Sequence, residues 1–206
     1  MSKIVIGIDQ SYTRTGITIL KDKQILKMKS INFKECKSNT NKRKVIKSTL
    51  ESIIDGILVD YKPRDIKCIV ERIRTFSGGH MSTQYLISTG ALIATIVDTL
   101  SEYEIPVYSV ETRSWKVQIV GDTKPMKNQY GINPNKYKTI LYLRSKGLLK
   151  YIAEPYNGRG KQGVINIKID GKKTPCKIND DLADSYCIAM YGFLPEHKQK
   201  LKEEKL

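Results

Sequence analysis

Residues 3–9, Lys-Ile-Val-Ile-Gly-Ile-Asp, form a nearly unbroken apolar run that ends on a carboxylate. A strand with one wet face alternates polar and apolar residues, whereas a continuous run belongs to a strand covered on both faces. The chain is therefore constrained from its start to an α/β architecture with this strand inside the sheet. Asp9 falls where the apolar run gives out, at the strand end where open α/β sheets present their ligand-binding groups.

Two further strand patterns follow, TGITILK and QILKMKSINF, so the chain opens as a β-meander. From Asn41 to Tyr61 the residues Val45, Leu50, Ile53, Ile54, Ile57 and Leu58 recur at helical spacing among lysines, which predicts a crossover helix leading to the strand IKCIVERI. A short right-handed crossover lays this strand beside the first, so Glu71 converges on Asp9. A second long helix, about residues 80–103, is apolar on more than one side through Met81, Tyr85, Leu86, Leu92, Ile93, Ile96, Val97 and Leu100, and is expected to be covered twice. PVYSVET reads as a strand, 113–120 as a short helix, and 136–146 as a helix ended by Gly147. Ile165, Ile167 and Ile169 then alternate with polar residues, and Asp170-Gly171 turns the chain into a second alternating run reaching Ile178, which is a β-hairpin. Asn179-Asp180 caps a last helix through LADSYCIAMYG, and HKQKLKEEKL reads as a frayed, solvated tail. The 206 residues suit one core: a domain over 1–194 with a basic hairpin inserted at about 160–178, then a charged tail over 195–206.

The 36 Lys and Arg against 21 Asp and Glu give a formal charge of +15, which calls for an anionic partner. Nucleic acid leads, because its phosphates reward a basic surface through counterion release; an acidic membrane surface is the alternative. No stretch approaches the roughly 18 apolar residues of a membrane span, and the N-terminus passes directly into a strand pattern, so an intracellular, cytoplasmic protein without a membrane partner is expected. Cys36, Cys68, Cys176 and Cys187 contain no CxxC pair and only His80 and His197 accompany them, which speaks against zinc and for apolar filling in a reducing compartment.

Asp181 and Asp184 stand three apart in the first turn of the last helix, a spacing that puts both on one face. With Asp9 and Glu71, four carboxylates could surround one point. Such a cluster opposes its own ionisation unless a cation compensates it. Oxygen donors of this kind suit Mg²⁺ or Mn²⁺, and a pair of these ions about 3.5–4 Å apart assists hydrolysis at a phosphodiester. Taken singly, each acid has an ordinary explanation: a strand-end Asp caps a turn, and first-turn acids favour the helix dipole. Asp180 is assigned to capping.

Together, GIDxSxxxTG around Asp9, IVER around Glu71 and DDLADSYCIAM around Asp181 and Asp184 resemble the RuvC family of Holliday junction resolvases, especially phage-encoded members. The resemblance implies an RNase H-like fold, a mixed sheet of about five strands flanked by helices, here with the added hairpin. It implies a Mg²⁺-dependent endonuclease, a phosphodiester hydrolase that nicks branched DNA and four-way junctions in pairs as a homodimer, with no small-molecule cofactor, in the cytoplasm of a bacterial host. On it, Asp9, Glu71, Asp181 and Asp184 carry over as the metal-binding catalytic tetrad, Lys127 as a catalytic basic group, and Lys116 and Lys127 as DNA contacts, with the nearby Lys124 a further candidate contact. The bland reading of each lysine is a solvated charge. The second long helix could pack on its own sheet and on its twin, or serve simply as a central helix of one domain.

Three departures qualify the resemblance. Gln10-Ser11 stands where the family commonly has Pro-Gly. Arg74, with Phe76 two residues on, stands where an aromatic is usual, and either plane stacks on any base, so little sequence preference is expected. The hairpin, carrying Arg159, Lys161, Lys168, Lys172, Lys173 and Lys177, is either a DNA arm, with Lys172 and Lys173 as contacts, or a lysine-guarded edge. A non-catalytic junction- or duplex-binding protein, an actin-like nucleotide-binding protein and an RNase H-like nuclease for another nucleic acid are the other classes compatible with parts of this pattern.

Overall fold

The computed structural model describes residues 3–72, 83–121, 138–139, 142–143, 146–152, 163–169, 172–178 and 180–204, with only the backbone of 149–178. β1 (Ile4–Gln10), β2 (Arg14–Lys21) and β3 (Gln24–Asn32) form the antiparallel meander, with Asp9 opposite Gly16. The Ser38 hydroxyl accepts from the Asn41 amide and so caps α1 (Asn39–Leu58), which buries Ile46, Leu50, Ile53 and Ile54. The chain returns in β4 (Ile66–Glu71), parallel to β1 with Ile8 opposite Val70. α2 (Thr83–Ser101) then crosses to β5 (Val107–Val110), parallel to β4.

The faces of β1 explain its unbroken apolar run. Ile4, Ile6 and Ile8 join the core under α1 and α2. Val5 belongs to a second core on the other face, beneath α4 (Asp180–Tyr191), together with Leu20, Ile69, Val110 and Trp115. Trp115 comes from the short helix α3 (Thr112–Trp115), which continues into a π-helical turn over Lys116–Val120. The sheet is thus sandwiched between two helical layers. On α2, Leu92, Ile96, Val97 and Leu100 are buried between the sheet and α1, so the helix is covered twice within one chain, while Ile87 near its start is 60% exposed.

The hairpin lies close to its expected place: β7 (Gly163–Ile169) and β8 (Lys172–Ile178) pair antiparallel, with Ile169 opposite Lys172. β6 (Leu149–Ile152), which the sequence did not suggest, pairs with β7 and makes a separate three-stranded sheet. The helix expected over 136–146 falls mostly outside the described residues, although 138–139 and 142–143 are helical and Gly147 has the positive φ (68°) of a helix end.

Two expectations are corrected. The main sheet has six strands, ordered β3-β2-β1-β4-β5-β9, where five were expected. The sixth, β9 (Leu201–Glu204), lies in the segment read as a frayed tail and pairs antiparallel with β5. Leu201 packs against the α4-side core, the Tyr191 hydroxyl accepts from the Lys200 amide at 2.6 Å, and Ser109 donates to Glu204 at 2.5 Å. Charge concealed the strand, because an edge strand keeps its outward side chains charged to discourage pairing with other chains.

A candidate active site of convergent carboxylates

Asp9 and Glu71 end adjacent parallel strands, and the register that sets Ile8 opposite Val70 makes them the next pair along. The last helix reaches them because two strand positions lack side chains. A Cβ on Gly16, the partner of Asp9 across β2, would stand 2.2 Å from the Asp181 carbonyl oxygen, and one on Gly7 would stand 2.2 Å from that of Ser185. Helix α4 therefore lies directly on the backbones of β1 and β2, held also by a buried 2.7 Å hydrogen bond between the Thr18 and Ser185 hydroxyls. Its first turns bring Asp181 and Asp184, each about nine-tenths buried, to the end of the sheet that carries Asp9.

The electrostatics follow from this convergence. The Asp9 carboxyl, partly exposed but closely walled in, is pushed well above the usual carboxylate range, first by burial and then by the negative charges of Asp184, Glu71 and Asp181. A hydrogen bond with the Glu71 side chain acts in the same direction. Two cations partly offset the charge: Arg14 lies 3.4 Å from Asp181 and 4.0 Å from Asp180, and the Lys116 ammonium lies 3.6 Å from Asp184. Glu71 is oriented by the Thr112 hydroxyl, which donates to its carboxylate, while the Gln10 amide donates to its carbonyl. Behind the β1–β2 turn, the buried Lys42 donates to the Tyr12 carbonyl at 2.9 Å and sits over the Tyr12 ring, 3.1 Å from its centroid.

Of the residues singled out from sequence, Asp9, Glu71, Asp181, Asp184 and Lys116 are thus brought together. Arg74, Phe76, Lys124 and Lys127 lie outside the described residues, and Lys172 and Lys173 are described only as backbone in β8. Asp180 occupies the first turn of α4 beside Arg14; its expected capping partner Asn179 lies outside the described residues. Cys68 and Cys187 are buried, unpaired thiols, as core filling requires. Gly7, Gly16, Arg14, Gln10 and Thr112 are site residues that sequence reasoning missed. Glycines inside two strand patterns were the available signal, because they mark close approach of another backbone.

Among the described residues, no three His, Cys, Asp or Glu side chains already stand as a closed metal cage. The donor chemistry nevertheless fits a hard divalent cation: all four groups are carboxylates, they raise the Asp9 pKa by mutual repulsion, and they already draw Arg14 and Lys116 towards them.

No family profile matches the chain. An uncharacterized protein of Ureaplasma parvum is 29% identical over 120 residues, covering 58% of this chain; the chain spans about half, 52%, of that relative. Among solved structures, Thermus thermophilus RuvC in complex with a Holliday junction substrate is similar with a TM-score of 0.62 at 14% identity, over 98% of this chain and 99% of the other. A second Thermus thermophilus RuvC structure is similar at 0.56 and 15%, over 91% of each chain. The fold is RNase H-like, of the RuvC type.

Proposed function

We propose that the chain is a divalent-metal-dependent endodeoxyribonuclease that resolves four-way DNA junctions by nicking symmetrically related strands. The observation that carries this reading is the seating of α4 on Gly7 and Gly16, which delivers Asp181 and Asp184 to the strand ends bearing Asp9 and Glu71. The basic composition and the likeness to a RuvC bound to a Holliday junction support DNA as the substrate.

Asp9, Glu71, Asp181 and Asp184 would hold Mg²⁺ or Mn²⁺, which when bound supplies positive charge at the scissile phosphate and favours ionisation of water. The Asp9 carboxyl, raised by burial and by its acidic neighbours, gains from such charge. Thr112 fixes one Glu71 oxygen, and Arg14 fixes the start of α4 through Asp181. Lys116, on the rim beside Asp184, is placed to meet a phosphate oxygen, and Lys127 joins it on the resemblance already given. Paired nicking calls for a homodimer, and the exposed Ile87 on α2 supports that helix as its contact. Arg74 and Phe76 would stack on bases with little sequence preference, and the β7–β8 hairpin would add a DNA arm.

The test is cleavage of a four-way junction, a linear duplex and an RNA–DNA hybrid in Mg²⁺, by the wild type and Asp9→Asn. Paired nicks in the junction, lost in the variant, are expected. Cleavage of the hybrid alone would reassign the substrate, and an active Asp9→Asn would overturn the site.

A further inference from the structure

Beside the carboxylates the structure forms an open groove of about 720 Å³, bounded by α3 on one side and by the segment entering β9 on the other. Its charged lining is Arg72, Arg113, Lys198, Lys200 and Lys202 against the single acid Glu111. Arg72 is committed in part, 3.6 Å from Glu111 and bonded to the Ser109 hydroxyl. Arg113, Lys198, Lys200 and Lys202 are exposed.

We propose that this groove is a second DNA-contacting surface, gripping the phosphate backbone of the duplex arm that leaves the cleavage site, with β9 as a working part of the interface. The inference rests on the nuclease reading above and extends it to residues outside the carboxylate site. Its first support is continuity. Arg72 directly follows Glu71, and Thr112, which holds the Glu71 carboxylate, lies between the groove residues Glu111 and Arg113. The groove is therefore built on the same backbone that fixes one wall of the site, and a strand lying over Glu71 would meet it next.

Its second support is the origin of the cations. Lysines that merely guard a sheet edge need only point outward from that edge. Here five cations come from three separated stretches, after β4, in α3 and around β9, and line one cavity. Gathering like charges opposes folding unless a polyanion is the intended occupant. The opening is shallow and polar, suited to a backbone lying along it.

The test uses the full chain with Ca²⁺ in place of Mg²⁺, so that binding to a four-way junction is measured by fluorescence anisotropy without cleavage, across a salt series. Lys198→Gln/Lys200→Gln/Lys202→Gln is expected to weaken binding about tenfold or more at moderate salt. The salt slope should flatten by about 2–3, since each lost phosphate contact removes roughly 0.9 from it. Arg113→Gln, which lies on α3 and leaves β9 intact, should flatten the slope by about 1. Thermal melting of both variants separates lost contacts from lost structure. Unchanged affinity and slope in folded variants, or a loss seen only with RNA–DNA hybrids, would overturn the groove while leaving the nuclease reading intact. Failure of the wild type to bind or cut any junction would overturn both.

Discussion

Substituting Gly16 by alanine tests whether the close seating of α4 builds the site. The new methyl carbon would begin 2.2 Å from the Asp181 carbonyl oxygen and 2.5 Å from its carbon, both backbone atoms that cannot swing aside. Cβ contacts essentially never fall below 3.0 Å, so the start of α4 must retreat by at least 0.8 Å, the difference between 3.0 and 2.2 Å. Overpacking of this kind costs about 1–3 kcal/mol of stability. The larger effect falls on chemistry, because the retreat withdraws Asp181 and Asp184 from Asp9, and a misplacement of about 1 Å can cost on the order of 100-fold in rate. Urea unfolding gives the first number, and single-turnover cleavage of a four-way junction in saturating Mg²⁺ gives the second. Gly7→Ala, which meets Ser185 and Ala189 further along the helix, is expected to lose stability similarly. A Gly16→Ala protein with wild-type unfolding and wild-type cleavage would refute the account of how the acids are assembled.

A methyl group on Gly56 of α1 would meet no atom within 4 Å, so Gly56→Ala should raise stability by about 0.5–1 kcal/mol in urea unfolding without altering cleavage. Thr112→Val removes the donor to the Glu71 carboxylate; a stability loss of about 1.5–3 kcal/mol with a fall in cleavage is expected, and rescue by Thr112→Ser would identify the hydroxyl as the cause. Because the folded-state pKa of Asp9 is raised, the metal-free folded protein binds more protons than the unfolded chain at pH values above the ordinary carboxylate range. Its stability therefore declines as pH rises through that window, and melting curves of Asp9→Asn should show a shallower decline. Mg²⁺ should raise the melting temperature of the wild type at neutral pH and that of Asp9→Asn much less.

The central sheet and the acids were legible because burial on both faces writes a continuous apolar run, and both β1 and β4 end that run on a carboxylate. The i, i+3 pair Asp181 and Asp184 was equally plain. What could not be read was anything depending on contacts between distant segments. Gly16 shows in sequence only as a small residue in a strand; that it receives the Asp181 carbonyl is known once α4 is laid across β2. Arg14 is one more cation in a chain of many until its guanidinium meets Asp181. β9 was missed because Leu201 is the lone apolar anchor of a strand whose other residues are charged, so neither periodicity nor hydropathy reports it.

Asp9 lies in β1, the first strand of the fold, whereas Asp181 and Asp184 lie in α4, which follows β1–β8 in the chain. Helix α4 can settle on Gly7 and Gly16 only after almost everything between has been made, so the acidic cluster is assembled by a contact of very long sequence separation. A chain not yet extended to α4 would carry β1–β5 and the core beneath α1 and α2 while lacking half of the carboxylates. Any cutting activity built on them is thereby withheld until α4 has been made and seated, a safeguard arising from the order of the segments alone.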